Sequence, residues 1–267
     1  MVRGRAGIFR LAGIDLDGTL LRSDGTISDR SRAAIRRTRA AGVTVVIVTA
    51  RGPMSVSDIA RDAGISGTAI CSNGGLLVDL ETGEIVKQRL LETDVAIGLV
   101  HALRERLPGI VFAVEYEAFA HEPGFAAWNW EPPEGTRVAD AVELLADPAT
   151  KLILRHADHE VEAIAALAHE LVGGAATVVA SGSHAVEVTA AGVNKAVALA
   201  EIAEELGITA AEVVVFGDYP NDAPMLAWAG HGVAVANAHA EVLAVADEVT
   251  ASNDDDGVAL VLERLTA

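Results

Sequence analysis

Short apolar runs alternate with segments of helical period at both ends of the chain. Residues 9–16 and 43–49 read as buried strands, the second rich in β-branched side chains, and residues 69–72 as a third. Between them, residues 28–41 carry a helical pattern with Ser28 as cap and Gly42 as stop, and residues 56–63 a shorter one ended by Gly64. Residues 76–79 and 85–89 flank the turn Glu81-Thr82-Gly83-Glu84 and predict a hairpin. The same rhythm returns near the C-terminus. Residues 195–206, 222–229, 240–246 and 258–265 read as helices, and 213–216 and 233–236 as strands. Buried strands separated by helices predict an α/β fold, a parallel sheet of five strands covered on both faces.

The middle of the chain differs. Residues 94–107 predict a helix ended by Pro108, and 111–115 a strand. Residues 121–137 hold prolines and two tryptophans without periodicity, which predicts a long irregular excursion. Residues 151–156, 177–180 and 185–188 read as strands around a helix at 160–171. This pattern predicts a small α+β domain, 83–188, inserted into a core made of 1–82 and 189–267.

Composition narrows the class. Hydrophobic residues make up 51% of the 267, enough for a sizeable core and against general disorder. The formal charge is −18, which argues against nucleic acid or an anionic membrane as a partner. A phosphorylated metabolite stays open, because a bound cation reverses the local field. Cys71 is the one cysteine, so an internal disulfide and thiolate-rich metal sites are excluded and a reducing, cytoplasmic setting is expected. No signal peptide or membrane-length apolar run is evident.

The densest chemical signal is Asp15-Leu16-Asp17-Gly18-Thr19, at the end of the first strand. Residues two apart on an extended chain point the same way, so Asp15 and Asp17 are expected to emerge together. A second acidic cluster, Gly217-Asp218-Tyr219-Pro220-Asn221-Asp222, follows another strand and leads into a helix. Asp222 alone reads equally as a helix cap. Several acids converging on one sheet edge suit a hard dication with oxygen ligands. Thr49 ends the second strand, where a hydroxyl can meet a phosphoryl oxygen. Lys195 starts a helix, against the dipole preference, which points to a duty towards carboxylates or an incoming phosphate.

These four elements, in this order, resemble the haloacid dehalogenase-like hydrolase superfamily. Residues 15–20 match its first motif, Val48-Thr49-Ala50-Arg51 its second, Lys195 its third, and Gly217-Asp218 with Asn221-Asp222 its fourth. The insertion, Ser72-Asn73-Gly74-Gly75 and Ala236-Asn237-Ala238-His239 resemble the Cof-like branch with a type IIB cap. The resemblance implies a Rossmann-like core with that cap. It implies Asp15 as nucleophile, Asp17 as general acid and then base, and Thr49 and Lys195 on the phosphoryl oxygens. It implies Mg²⁺ held by Asp15, the Asp17 carbonyl and Asp218, with Asp222 and Asn221 in support. Ala50, Ala196 and Tyr219-Pro220 depart from the usual motifs.

The expected activity is a Mg²⁺-dependent phosphatase of a small phosphorylated metabolite, working through an aspartyl-phosphate, in a monomer or homodimer. Arg51, Gly52, Asn73 and Asn221 join Thr49 and Lys195 as candidate substrate-binding residues, with a salt bridge as the alternative for Arg51. Tyr116, His121, Trp128 and Trp130 are candidates in the insertion, with a packing role as their alternative. A phosphomutase shares the intermediate, and a non-catalytic binding protein is the competing class. A receiver-type signalling domain would need only about half this length.

Overall fold

The computed structural model describes residues 9–125, 132, 134–181 and 185–266. Trp128 and Trp130 lie outside them. The chain forms two compact units, Met1–Lys87 with Asn194–Ala267, and Gln88–Val193.

The first unit is built on five parallel strands. Their order is Glu248–Val249, His231–Ala234, Val213–Gly217, Leu11–Ile14 and Thr44–Ile47. Alternate side chains of the central strands serve two cores. Ala12, Ile14, Val214 and Phe216 meet the helices Asp29–Ala40, Ser57–Ala63 and Gly257–Leu265. Leu11, Val213 and Val215 meet the helices Lys195–Glu205, Ala223–Trp228 and Ala240–Val245. Burial on both faces explains why these strands read as unbroken apolar runs. Ile14 pairs in register with both Phe216 and Ile47, so three neighbouring strands finish level. Their next residues therefore emerge along one edge, where an open α/β sheet binds its ligands. Gly13 lets the helix Lys195–Glu205 approach closely, since a Cβ there would lie 2.7 Å from Leu199 Cδ2.

The five parallel strands are not all those the sequence suggests. Thr68–Cys71 makes a single parallel bridge, Val48 with Ile70, and otherwise belongs to a three-stranded sheet with Leu76–Asp79 and Ile85–Gln88. The fifth place goes to Glu248–Val249, two residues that are too short for periodicity to register.

The second unit has a six-stranded sheet in the order Ala176–Ser181, Ala185–Ala190, Lys151–Arg155, Val111–Glu115, Phe119–His121 and Arg137–Val138. The pairing is antiparallel except between the last two strands. Helices Thr93–Arg106, Ala141–Leu144 and Val161–Val172 bury Leu99, Leu103, Leu144 and Ile164 against Phe112, Val114, Leu152, Leu154, Val186 and Val188. The short strands Phe119–His121 and Arg137–Val138, the last two of the sheet, bracket the stretch that reads from sequence as an excursion. Among the described residues no helix is long and apolar enough to cross a membrane.

Candidate active site

Asp15 follows directly on the strand Leu11–Ile14 and is 4% exposed. The chain then stops being extended. Asp17 (ψ 123°) and Gly18 (φ +73°) kink the turn Leu16–Leu20, which closes through Leu20 N–H donating to the Asp15 carbonyl at 3.2 Å. The positive φ suits glycine, and a Cβ at Gly18 would sit 2.4 Å from Asp218 Oδ2. This turn undoes the expectation that Asp15 and Asp17 emerge together. Asp15 points into the buried cluster, whereas the Asp17 side chain is 57% exposed and pairs with Arg51. The alternation rule holds only while the chain stays extended, and it ends at Leu16.

Lys195 is the centre of the buried cluster. Its ammonium, 1% exposed, donates to Asp15 Oδ1 at 2.7 Å and to Asp222 Oδ1 at 2.6 Å. The neighbouring carboxylates hold its pKa above the usual lysine range in spite of the burial that opposes its charge. Asn194 caps the same helix by accepting from Val197 N–H at 2.9 Å, so the helix start fixes where Lys195 begins.

Asp222 does two jobs at once. Its Oδ2 accepts from the backbone N–H of Asp218 at 3.0 Å and of Tyr219 at 3.1 Å, while Oδ1 reaches Lys195. Asp218 accepts a hydrogen bond from the Thr19 hydroxyl at 2.8 Å. Burial, and then the charge of Asp222, push the Asp218 carboxyl up to about 6. Burial also holds Asp15 well above the carboxylate range, with Lys195 opposing the shift.

Oxygens of Asp15, Asp218 and Asp222 lie within 4.8 Å of one another. Three carboxylates against one lysine leave a buried excess of negative charge that a divalent cation would relieve. The donor set is all oxygen, which suits Mg²⁺. Asn221 Oδ1, buried on the same turn, has no hydrogen-bond partner among the described residues and is an acceptor in need of a donor.

The remaining sequence-predicted residues occupy the neighbouring loops. Thr49 is fully buried, and its Oγ1 accepts from Arg51 N–H at 3.1 Å, leaving its own hydrogen to donate. Asn73 N–H donates to the Thr49 carbonyl at 3.0 Å, and Asn73 Oδ1 accepts from Asn221 Nδ2 at 2.9 Å. The second and fourth motif loops are thereby tied through Asn73, which holds a left-handed conformation (φ 55°). Gly52 opens the short turn Pro53–Ser55. Arg51 forks onto Asp17, with Nε at 2.7 Å from Oδ2 and an NH₂ group at 2.6 Å from Oδ1. Two structural contacts escape the sequence reading. One is Thr19, hidden inside the first motif. The other is Asn237, whose amide donates to the Gly18 carbonyl at 2.8 Å and bolts the turn from across the sheet edge. Its position after the strand His231–Ala234, at the same edge, is the signal for it.

In the second unit His121 is 4% exposed, with Nδ1 2.8 Å from the Glu122 carbonyl. The Tyr116 hydroxyl donates to the Leu144 carbonyl. Both contacts are internal to that unit.

A family model described as haloacid dehalogenase-like hydrolase matches residues 13–262. The chain is 34% identical over 256 residues to a 5-amino-6-(5-phospho-D-ribitylamino)uracil phosphatase of Bacillus subtilis, spanning 94% of this chain and 93% of that protein. It is 30% identical over 270 residues to a pyridoxal phosphate phosphatase of Escherichia coli, spanning 94% and 96%. A solved sugar phosphatase of subclass IIB superposes with a TM-score of 0.83 over 95% of this chain and 98% of that one. At 22% identity, that likeness concerns the fold.

Proposed function

This chain belongs to the haloacid dehalogenase-like hydrolase family, in its Cof-like branch, and from that premise we propose that it is a Mg²⁺-dependent phosphatase of small phosphorylated metabolites that works through an aspartyl-phosphate. The observation that carries the reading is the buried convergence of Asp15, Asp218 and Asp222 around Lys195 at the end of a parallel sheet. Asp15 and Asp218 would hold the cation, with the Asp17 carbonyl, and Asp222 would brace them. Bound there, Mg²⁺ supplies positive charge that screens the nucleophile from an anionic ester.

Asp15 forms a bond from its carboxylate oxygen to phosphorus as the ester oxygen–phosphorus bond breaks. Asp17 gives a proton to the departing oxygen. Water then attacks phosphorus, Asp17 takes its proton, and inorganic phosphate leaves with Asp15 restored. Lys195 and the Thr49 hydroxyl neutralise and orient the phosphoryl oxygens, as charge stabilisation of phosphoryl transfer requires. Asn73 and Asn221 shape the same loops.

The relatives' substrates, a phosphoribitylamino-uracil and pyridoxal phosphate, are the first esters to assay, with hexose phosphates beside them. Free phosphate should appear with Mg²⁺ and stop with chelator. Asp15→Asn should lose at least about 10³-fold in turnover, as removal of a covalent nucleophile does. Equal rates with and without chelator, or near-normal turnover by Asp15→Asn, would overturn the reading.

A further inference from the structure

An acid/base that serves both half-reactions must be held still at hydrogen-bond reach, roughly 2.6–3.2 Å, of two different oxygens. The chain around Asp17 does not hold it. The residue sits in a kink, next to a glycine with φ +73°, and its side chain is 57% exposed. A carboxylate so placed is free to change rotamer. Among the described residues the one partner of its oxygens is Arg51, which meets each with a separate N–H at 2.6–2.7 Å. Two parallel bonds from a planar fork set the plane of a carboxylate as well as its position, which a single point charge does not.

Arg51 is itself anchored. Its N–H donates to Thr49 Oγ1 at 3.1 Å and its carbonyl accepts from Ser72 N–H at 2.9 Å. Thr49 is fully buried, and its N–H donates to the Ile70 carbonyl at 2.8 Å. A continuous line of bonds thus runs from the core through Thr49 and Arg51 to Asp17.

Resting on the phosphatase reading above, we propose that Arg51 is the positioning residue for Asp17: it fixes the group that, as the protonated carboxyl, gives its proton to the leaving oxygen and, as the carboxylate forked by Arg51, takes one back from water, and it does not itself bind the substrate. The requirement for it then depends on the leaving group. An alkoxide must be protonated as it departs, whereas p-nitrophenolate leaves without a proton.

The experiment is a cycle of Arg51→Ala, Asp17→Asn and the double variant, assayed with Mg²⁺ on glycerol phosphate and on p-nitrophenyl phosphate. Arg51→Ala should lower kcat on glycerol phosphate at least about 30-fold, within the range that acid–base catalysis supplies, with KM within about threefold. On p-nitrophenyl phosphate it should give a burst of nitrophenolate near one equivalent per site, followed by slow turnover, because only the second step then waits on Asp17. Arg51→Lys should restore no more than about a tenth of kcat. The double variant should match Asp17→Asn within about twofold. Thermal midpoints should agree within about 2 °C, since a half-exposed pair adds little stability. A KM raised tenfold with kcat unchanged, a further loss on adding Arg51→Ala to Asp17→Asn, or no effect of Arg51→Ala would each overturn the proposal while wild-type turnover stands. No turnover by the wild type on these two esters, on pyridoxal phosphate or on hexose phosphates would overturn the phosphatase reading, and this inference with it.

Discussion

Lys195 shows how one side chain holds a site together and destabilises it when lost. It is the cation for two buried carboxylates, each within 2.7 Å. Lys195→Met should leave both uncompensated, lowering stability by about 3 kcal/mol and turnover by more than about 10²-fold, read by thermal denaturation and by phosphate release. Asp218 makes a separate prediction for the cation-free protein. Burial pushes its folded pKa up to about 6, above the usual 3.8 of an aspartate in the unfolded chain. Between those values the folded state binds more protons than the unfolded one, so the stabilising contribution is complete below about pH 4 and lost as pH rises through 6. Buried Asp15 shifts in the same direction. Cation binding needs the ionised forms, so millimolar Mg²⁺ should raise Tm more at pH 7.5 than at pH 5. The reverse order, by differential scanning fluorimetry, would count against these carboxylates as ligands. At this scale the identities of Asp15, Thr49, Lys195 and Asp218 were legible in sequence from their places at strand and helix ends. The salt bridge weighed as the alternative for Arg51 is present, but its partner Asp17 was not legible, because the pair depends on a turn that begins one residue after the strand.

Two local elements allow function and stability to be separated. The turn Leu16–Leu20 is kinked at Gly18, where a methyl group would meet both an unfavourable backbone and Asp218 Oδ2 at 2.4 Å. Gly18→Ala should weaken the apparent Mg²⁺ affinity and lower turnover by at least about tenfold, because a small displacement of a positioned group is costly. The helix Asp29–Ala40 is different. Ser28 Oγ accepts from Ser31 N–H at 2.9 Å, at the cap that the sequence pattern predicts. Ser28→Ala should cost about 1 kcal/mol and leave kcat unchanged, since the hydroxyl serves the helix start and the Asp256 carboxylate and makes no bond to the Asp15, Asp218, Asp222 and Lys195 cluster. Helices with clear caps were readable to within a residue or two. The exchange of Thr68–Cys71 for Glu248–Val249 in the parallel sheet was not, because strand pairing is a choice between distant segments of similar apolar character.

For the whole molecule, the charge of −18 is the simplest lever. Self-repulsion of that size opposes compaction and is screened by salt, so Tm should rise by a few degrees between low and physiological ionic strength without Mg²⁺. The two units draw on different physics. A parallel sheet buried on both faces supplies level strand ends that collect the catalytic candidates, and an antiparallel sheet with helices on one face makes the Gln88–Val193 unit. Separate cores of this kind explain the abrupt change of sequence texture on either side of that unit.

The amino-acid sequence by itself determined the α/β class, most elements and the residues that carry charge at the sheet edge, because these follow from periodicity, capping and composition within a few neighbouring positions. Tertiary structure decided which carboxylates share a buried site, which one faces solvent beside Arg51, and which strand closes the sheet. Those outcomes depend on where a turn re-aims a side chain and on which of several remote, equally apolar partners it meets.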